Sequence, residues 1–292
     1  MVLQDEEGSE PMKTTLLPVE EHPSIEPTID TAVQLALAFD SYVEGFALTP
    51  DPPLLVTADA FSGAMITTDP DPRSQEERAR ACRMLFENRM SARGLARYHD
   101  GVQGASFGWL DSQGITGRDF LASYARVFDV TVLGRPESVS DGPRMSALEA
   151  ALFESGRPVL LAPPRSPRKL GENILIAWNG TPEAARTVAF AKPLLRRARH
   201  IAVVTVAGGQ TAEPSGERLV RYLRLNGISC EAHHIEPGPD SRGAAFLAAA
   251  ERLGSDLVIK GAYTQSRLRQ MIFGGATRHI VTEATVPVLL AH

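Results

Sequence analysis

The chain has 292 residues, 43% hydrophobic and 22% charged, the balance of a soluble globular protein long enough for two ordinary domains. Its formal net charge of -5 excludes nucleic acid as the main partner, because phosphate-backbone binding needs a basic field, and no apolar run approaches the roughly 18 residues that cross a bilayer. Cys82 and Cys230 are the only cysteines and have no paired-ligand spacing, which excludes a disulfide framework or zinc site and places the chain in a reducing cytoplasm.

In chain order, the first eleven residues carry Asp5, Glu6, Glu7 and Glu10. They lack the basic start and apolar core of a signal peptide and read as a disordered extension before Met12. Strands follow near 14–19, 42–48, 104–110, 128–133 and 158–162. About thirty extra residues separate the second of these from the fourth, in a loop over 49–72 and a long charged helix over 74–99. An insertion of this kind is expected to cover a sheet edge or make an interface. After the Pro-rich stretch from Pro163 to Pro167, the pattern reads strand 172–178, helix 182–197, strand 200–206, helix 214–226 and strand 228–235. It continues with helix 240–253, strand 256–260, helix 274–284 and strand 287–291.

The chain repeats itself. Residues Arg157 to Ala162 match Val286 to Ala291 with Pro158 and Pro287 aligned, Asp129 to Gly134 match Asp256 to Gly261, and Leu16 to Glu20 match Leu175 to Asn179. Two copies are therefore expected, residues 12–163, with the insertion at 49–100, and residues 168–292. Strands alternating with helices predict parallel crossovers and helices on both sheet faces.

The closing segment, Asp256 to His292, packs an apolar strand, a glycine turn, a basic loop, a small-residue helix start and a last strand together. In open α/β folds, ligands bind at the carboxyl edge of the sheet, and a helix start there offers free N–H groups to an anion. Arg267 and Arg269 read either as phosphate contacts or as solvated side chains, and Arg196, Arg197 and Arg199 as a solvated helix end. His233 and His234 point to opposite strand faces and cannot jointly hold one metal. Trp178 reads either as a stacking surface for a base or, more simply, as packing against the partner domain. No nucleophile elbow, zincin, P-loop or dinucleotide fingerprint is present.

With Gly261, Ser266, Arg267, Leu268, Gly274, Thr277, Arg278, the strand Val286 to Leu290, and Trp178-Asn179-Gly180-Thr181 before a helix, the chain resembles the universal stress protein family in its tandem form. The resemblance spans nearly everything from Met12 to His292. It implies two doubly wound, Rossmann-like, five-stranded parallel sheets paired through their last strands, here 158–162 and 286–291. It also implies ATP binding, since many members carry G-x-x-G-x9-G-[S/T] after the fourth strand, where the glycines admit phosphates and the helix start holds them.

Gly261 and Gly274 keep that separation, but Thr264 stands at the second glycine, Gly275 at the hydroxyl position with Thr277 two residues on, and Asn179 at the family's acidic residue. An amide accepts and donates hydrogen bonds but holds a metal less well than a carboxylate. The implied nucleotide site comprises Ala177, Asn179, Val206, Gly261, Ala262, Thr264, Arg267, Gly274, Gly275, Ala276 and Thr277, with magnesium able to accompany ATP. In the first copy, Met145 falls at the Gly274 position and Glu20 and Glu21 add negative charge, although Ser146 restores a hydroxyl. One nucleotide site at most is expected, in the second copy. The function implied is a cytoplasmic stress-response protein with a regulatory role and at most slow ATP hydrolysis, in which the two domains pair within one chain and a homodimer is a further association. The alternative is a nucleotide-independent scaffold with degenerate sites.

Overall fold

A computed structural model describes residues 12–48, 72–111, 117–138, 142–208, 213–237, 241–262 and 275–292. The amino-terminal half runs β1 (Thr14–Val19), α1 (Ile25–Phe39), β2 (Tyr42–Ala47), α2 (Pro72–Ala92), β3 (Ala96–Arg97), β4 (Ser106–Trp109), α3 (Arg118–Tyr124), β5 (Val130–Gly134), α4 (Gly142–Glu154) and β6 (Val159–Ala162). The carboxy-terminal half runs β7 (Asn173–Ala177), α5 (Pro182–Phe190), α6 (Lys192–Arg197), β8 (His200–Val206), α7 (Gly216–Leu225), β9 (Glu231–Ile235), α8 (Arg242–Arg252), β10 (Leu257–Gly261), α9 (Gly275–Glu283) and β11 (Val288–Ala291).

All the strands join one 11-stranded sheet in the order β3-β4-β2-β1-β5-β6-β11-β10-β7-β8-β9. The pairing of β6 with β11 is antiparallel, with Leu160 opposite Leu289. Every other strand pair among the described residues is parallel. Each half is doubly wound. From β7 the chain moves outward through β8 and β9, then crosses back to β10 and β11. The outward crossovers put α5, α6 and α7 on one face, and the return puts α8 and α9 on the other, as right-handed connections require.

Alternation of side chains along each strand builds two cores, one on each face. Leu160 and Leu289 belong to the core under α1, α2 and α5 to α7, whereas Val159, Leu161, Val288 and Leu290 belong to the core under α3, α4, α8 and α9. Both cores therefore pass without a break through the central join.

The repeated aspartate does the same work in both halves. The Asp129 carboxylate accepts from the backbone N–H groups of Lys13 and Thr14 at 2.8 and 2.9 Å, and that of Asp256 accepts from Gly171, Glu172 and Asn173 at 2.7, 3.2 and 3.1 Å. Each ties the start of its strand to the start of the neighbouring first strand of its half.

The insertion departs from expectation. Its helix ends at Ala92, where Gly94 turns with φ +86°, and the chain then adds the two-residue edge strand β3, giving this half six strands instead of five. Nor does α2 cap a sheet edge. It lies in the connection from β2 to β3, so close to the sheet that a Cβ on Gly45 would come 2.8 Å from the Phe86 ring. The loop over 49–71 and residues 1–11 lie outside the described residues. In the second half, the helix expected over 182–197 is two helices meeting at Ala191, because Pro193 removes a donor that a continuous helix would need.

A buried ionic knot fastens α1, α2 and the inter-half linker. Asp30, 3% exposed, accepts from Arg89 Nε and Nη2 at 3.0 and 2.7 Å, from Arg93 at 2.9 Å and from the Ser166 hydroxyl at 2.5 Å. Burial opposes its ionisation, but the Arg89 and Ser166 hydrogen bonds outweigh it and hold the carboxyl below its ordinary value. Replacing Asp30 with Ala removes both Arg89 hydrogen bonds on that side and leaves Arg89 only its 2.7 Å pair with Glu26; this is expected to cost about 2 kcal/mol in urea denaturation. A loss below about 1 kcal/mol would show that α2 and the linker are held by packing alone.

Candidate functional site

The sheet order locates the site before any side chain is considered. In each half, the chain leaves the first strand toward one edge and returns to the fourth on its other side, so the crevice between those strands at their carboxyl ends is a topological switch point, where open α/β sheets bind ligands. In the second half it lies between β7 and β10, with Ala177 paired to Lys260. In the first it lies between β1 and β5. Because β6 and β11 run antiparallel, the two switch points open on opposite margins of the sheet.

Of the residues implied by resemblance, the structure brings Ala177, Asn179, Val206, Gly261, Ala262, Gly275, Ala276 and Thr277 to this one margin, at the ends of β7, β8 and β10 and the start of α9. Thr264, Arg267 and Gly274 lie outside the described residues. Ala177, Val206 and Ala262 are buried in the core, so a ligand can meet them only through their backbone, and the N–H of Ala262 already donates to Ala291 at 2.9 Å. Thr277 lies on the buried side of α9 with Ile280 and Val281.

Gly261, expected to let the strand turn, also bears a close helix contact. It closes β10, and a Cβ there would sit 2.3 Å from the Ala184 nitrogen and 2.7 Å from its Cα. The first turn of α5 thus rests on the Gly261 backbone. Asn179 serves the same junction. Its Oδ1 accepts from the Thr181 hydroxyl at 3.0 Å, and the Thr181 side chain caps α5 by accepting from the Ala184 N–H, an N-cap reinforced by Pro182 at the first helical position. Trp178 is 3% exposed and its indole N–H donates to the Pro214 carbonyl at 2.8 Å, a partner within its own half.

Two charged groups at this margin were not singled out in the sequence. Lys260 lies on the α8 side of β10 and is 4% exposed. Its ammonium donates to the Gly261 carbonyl at 3.3 Å and lies 5.9 Å from the centre of the Phe246 ring. Burial, then repulsion from Arg242, push its pKa down to about 8, with Glu183 pulling weakly the other way. Across the crevice, in the first turn of α5, Glu183 Oε2 is buried without a hydrogen-bond partner among the described residues. A buried acceptor lacking a donor forfeits its hydration unless something else supplies one. Lys260 was legible as the one charge in an apolar strand whose copy carries Leu133. Glu183 gave no signal, since acidic residues are ordinary in a first helical turn.

The first half's switch point is built differently. The His22 imidazole lies against Gly134, 2.7 Å from where a Cβ would stand, and accepts the Ser24 N–H on Nδ1 at 3.1 Å. Met145, which falls at the Gly274 position, is 6% exposed and part of the core. The ring of His22 therefore fills the space over Gly134.

His234 Nδ1 lies 3.0 Å from the Thr205 hydroxyl and His233 lies beside Glu231, on the edge strand β9. Among the described residues, no group of three His, Cys, Asp or Glu side chains could hold a metal ion. A hollow of about 450 Å³ between Glu217, Arg221, Arg224 and Leu225 is a surface groove on α7 and β9, away from the switch point.

Several solved structures share this architecture. A universal stress protein from Archaeoglobus fulgidus superposes with a TM-score of 0.72 over 96% of this chain and 96% of its own, at 13% identity. The chain has the fold of a universal stress protein. A protein of unknown function from Pseudomonas aeruginosa covers 97% of this chain and 92% of its own with TM-score 0.54 at 13% identity. A chain from the same species assigned to the universal stress proteins covers 96% and 93% with TM-score 0.54 at 13% identity. No family model matches the sequence, and no curated protein matches it. The universal-stress fold thus rests on shape across nearly the whole chain, with both halves included.

Two outcomes test the geometry. Gly261→Ala forces a methyl into the α5 backbone and is expected to destabilise by about 1–3 kcal/mol, measured by urea denaturation; an unchanged midpoint would mean that α5 does not rest on β10. Lys260→Leu, copying Leu133, removes a cation whose folded pKa, near 8, lies below its ordinary 10.5. The unfolded chain holds that proton more tightly, so the destabilisation, about 3 kcal/mol, is fully present below pH 8 and fades as pH rises toward 10.5. The variant's stability advantage over the parent is therefore greatest at pH 7 and shrinks through that window. A gap that does not vary with pH would show that Lys260 titrates normally.

Proposed function

We propose that the chain binds an adenine nucleotide, ATP, at the switch point of its second half, and that it acts in the cytoplasm as a stress-response protein by changing conformation or association. The observation that carries this reading is the unsatisfied polar lining of one switch point. Glu183 Oε2 has no donor among the described residues, and a ribose hydroxyl is a donor of the right size and strength. Beside it stand Asn179, the capped start of α5 and the open start of α9 at Gly275. Helix N–H groups at that margin suit phosphates. The first half's crevice has the His22 ring over its glycine, which supports one site and not two.

The residues fit a nucleotide better than a metal centre. With no cluster of three ligating side chains among the described residues, magnesium accompanying ATP would be held by the phosphates themselves. The role proposed is regulatory, since among the described residues the margin presents no nucleophile paired with a base. Among the described residues, no helix is long and apolar enough to cross a membrane.

A thermal-shift titration tests the reading directly. ATP at a hundred times its dissociation constant should stabilise the fold by about 2.7 kcal/mol, and no shift with any adenine nucleotide at millimolar concentration would sink it, leaving the scaffold reading. Gly275→Ser supplies the hydroxyl that the family's ATP binders carry there. Nothing lies within 4 Å of the new Cβ, so the fold should be unaffected while ATP affinity rises several-fold. A weaker complex would place the phosphates elsewhere.

A further inference from the structure

We infer that Lys260 and Arg242 form a two-cation anchor for the end of a polyphosphate chain, so that the second-half site discriminates its ligands by phosphate number more than by base. The inference rests on the nucleotide reading only for the adenosine part of the ligand.

The placement of Lys260 comes first. It is the penultimate residue of β10, opposite Ala177 across the switch point. An ammonium taken out of water is expensive unless charge or hydrogen bonds replace its hydration. Here three donors find, among the described residues, one carbonyl at 3.3 Å and a ring at 5.9 Å. The matching residue of the other half is Leu133, itself 5% exposed, so an apolar side chain fits this position in the fold. The lysine is not there for packing.

A second cation is held beside the first. Arg242 opens α8 one turn before Phe246, and residues four apart share a helix face, so the arginine lies on the side of α8 that meets Lys260 through Phe246. Its guanidinium donates to the carbonyl of Gly208, just beyond the end of β8, which fixes it at the carboxyl margin. Repulsion between the two cations exceeds the attraction of Lys260 to Glu183. Arg242 is exposed at the mouth of the margin while Lys260 behind it is buried, and two like charges facing one opening mark a place for an anion.

The neighbouring backbone adds to the same field. A Cβ on Gly243 would come 2.6 Å from the Ala276 carbonyl, so the first turns of α8 and α9 touch. The positive end of the nine-residue α9 thus lies next to Arg242. Two cations and a helix start answer more than one negative charge, which suits a terminal phosphoryl group better than a carboxylate. Glu183, on the opposite side of the crevice, keeps the phosphate end of the ligand on the α8 side and leaves the α5 side to the sugar.

Titration calorimetry on the full chain with ATP, ADP, AMP and inorganic tripolyphosphate tests the anchor, using Lys260→Met and Arg242→Gln, each checked by circular dichroism and melting temperature. Lys260→Met should weaken ATP and tripolyphosphate at least tenfold and leave AMP within twofold, and Arg242→Gln should do the same to a smaller extent. If ATP binds the parent and Lys260→Met equally well, the anchor is wrong and the adenine reading stands. If tripolyphosphate binds in a Lys260-dependent way while ATP gains nothing over it, the anchor stands and the adenine reading falls. If neither ligand binds the parent chain, both are wrong.

Discussion

The antiparallel pairing of β6 with β11 is the constraint on which everything else depends. Parallel strands within each half already satisfy their neighbours, but a sheet ending at β6 or β11 would leave a row of unpaired backbone groups beside apolar side chains. Joining the two copies at Leu160 and Leu289 removes both edges at once and lets each core run across the centre. The same join fixes function. It turns one half over relative to the other, so the carboxyl margins of the two halves open on opposite sides and no ligand can be shared between their switch points. Each half has to build, or abandon, a site on its own.

The fold was legible because the residues that repeat are those the join and the winding demand. Pro158 and Pro287, aligned in the sequence, precede the two strands that pair. Asp129 and Asp256, aligned likewise, tie the fourth strand of each half to the first through backbone N–H groups. The strand His200–Val206 was readable to the residue, since its apolar run is bounded by charge on one side and glycine on the other. Reading failed where distant packing decides. Nothing in the periodicity of α2 says that it lies on Gly45 and not along an edge, because that depends on the Phe86 ring meeting a strand forty residues earlier in the chain.

The site was legible in outline and misread in its parts. The switch point and the helix starts followed from the order of strands and helices, and the departures at Asn179 and Gly275 were visible as letters. Gly261 is expected from its spacing to let the strand turn, and the α5 backbone also occupies its open side. Both features satisfy the same sequence pattern, since a strand that must admit a close neighbour needs glycine whether that neighbour is a helix or a ligand. Lys260 and Glu183 escaped notice for a related reason. A charge becomes significant only when remote elements bury it: Phe246 of α8 lies against Lys260, and Glu183, on α5, stands where that helix meets the Gly261 backbone of β10.

The two switch points show how tandem copies diverge under one shared constraint. In the first half, the crevice is closed over its glycine by an imidazole held within its own loop, and the fourth strand ends in an apolar Leu133. In the second, the corresponding strand carries at its penultimate position a buried lysine that an arginine repels, while a carboxylate oxygen opposite has no donor among the described residues. Both arrangements fit the same sheet, so the sheet does not choose between them. The proposed nucleotide would supply the charge and hydrogen bonds that Lys260 and Glu183 lack among the described residues, whereas the first half contributes its last strand to the central join.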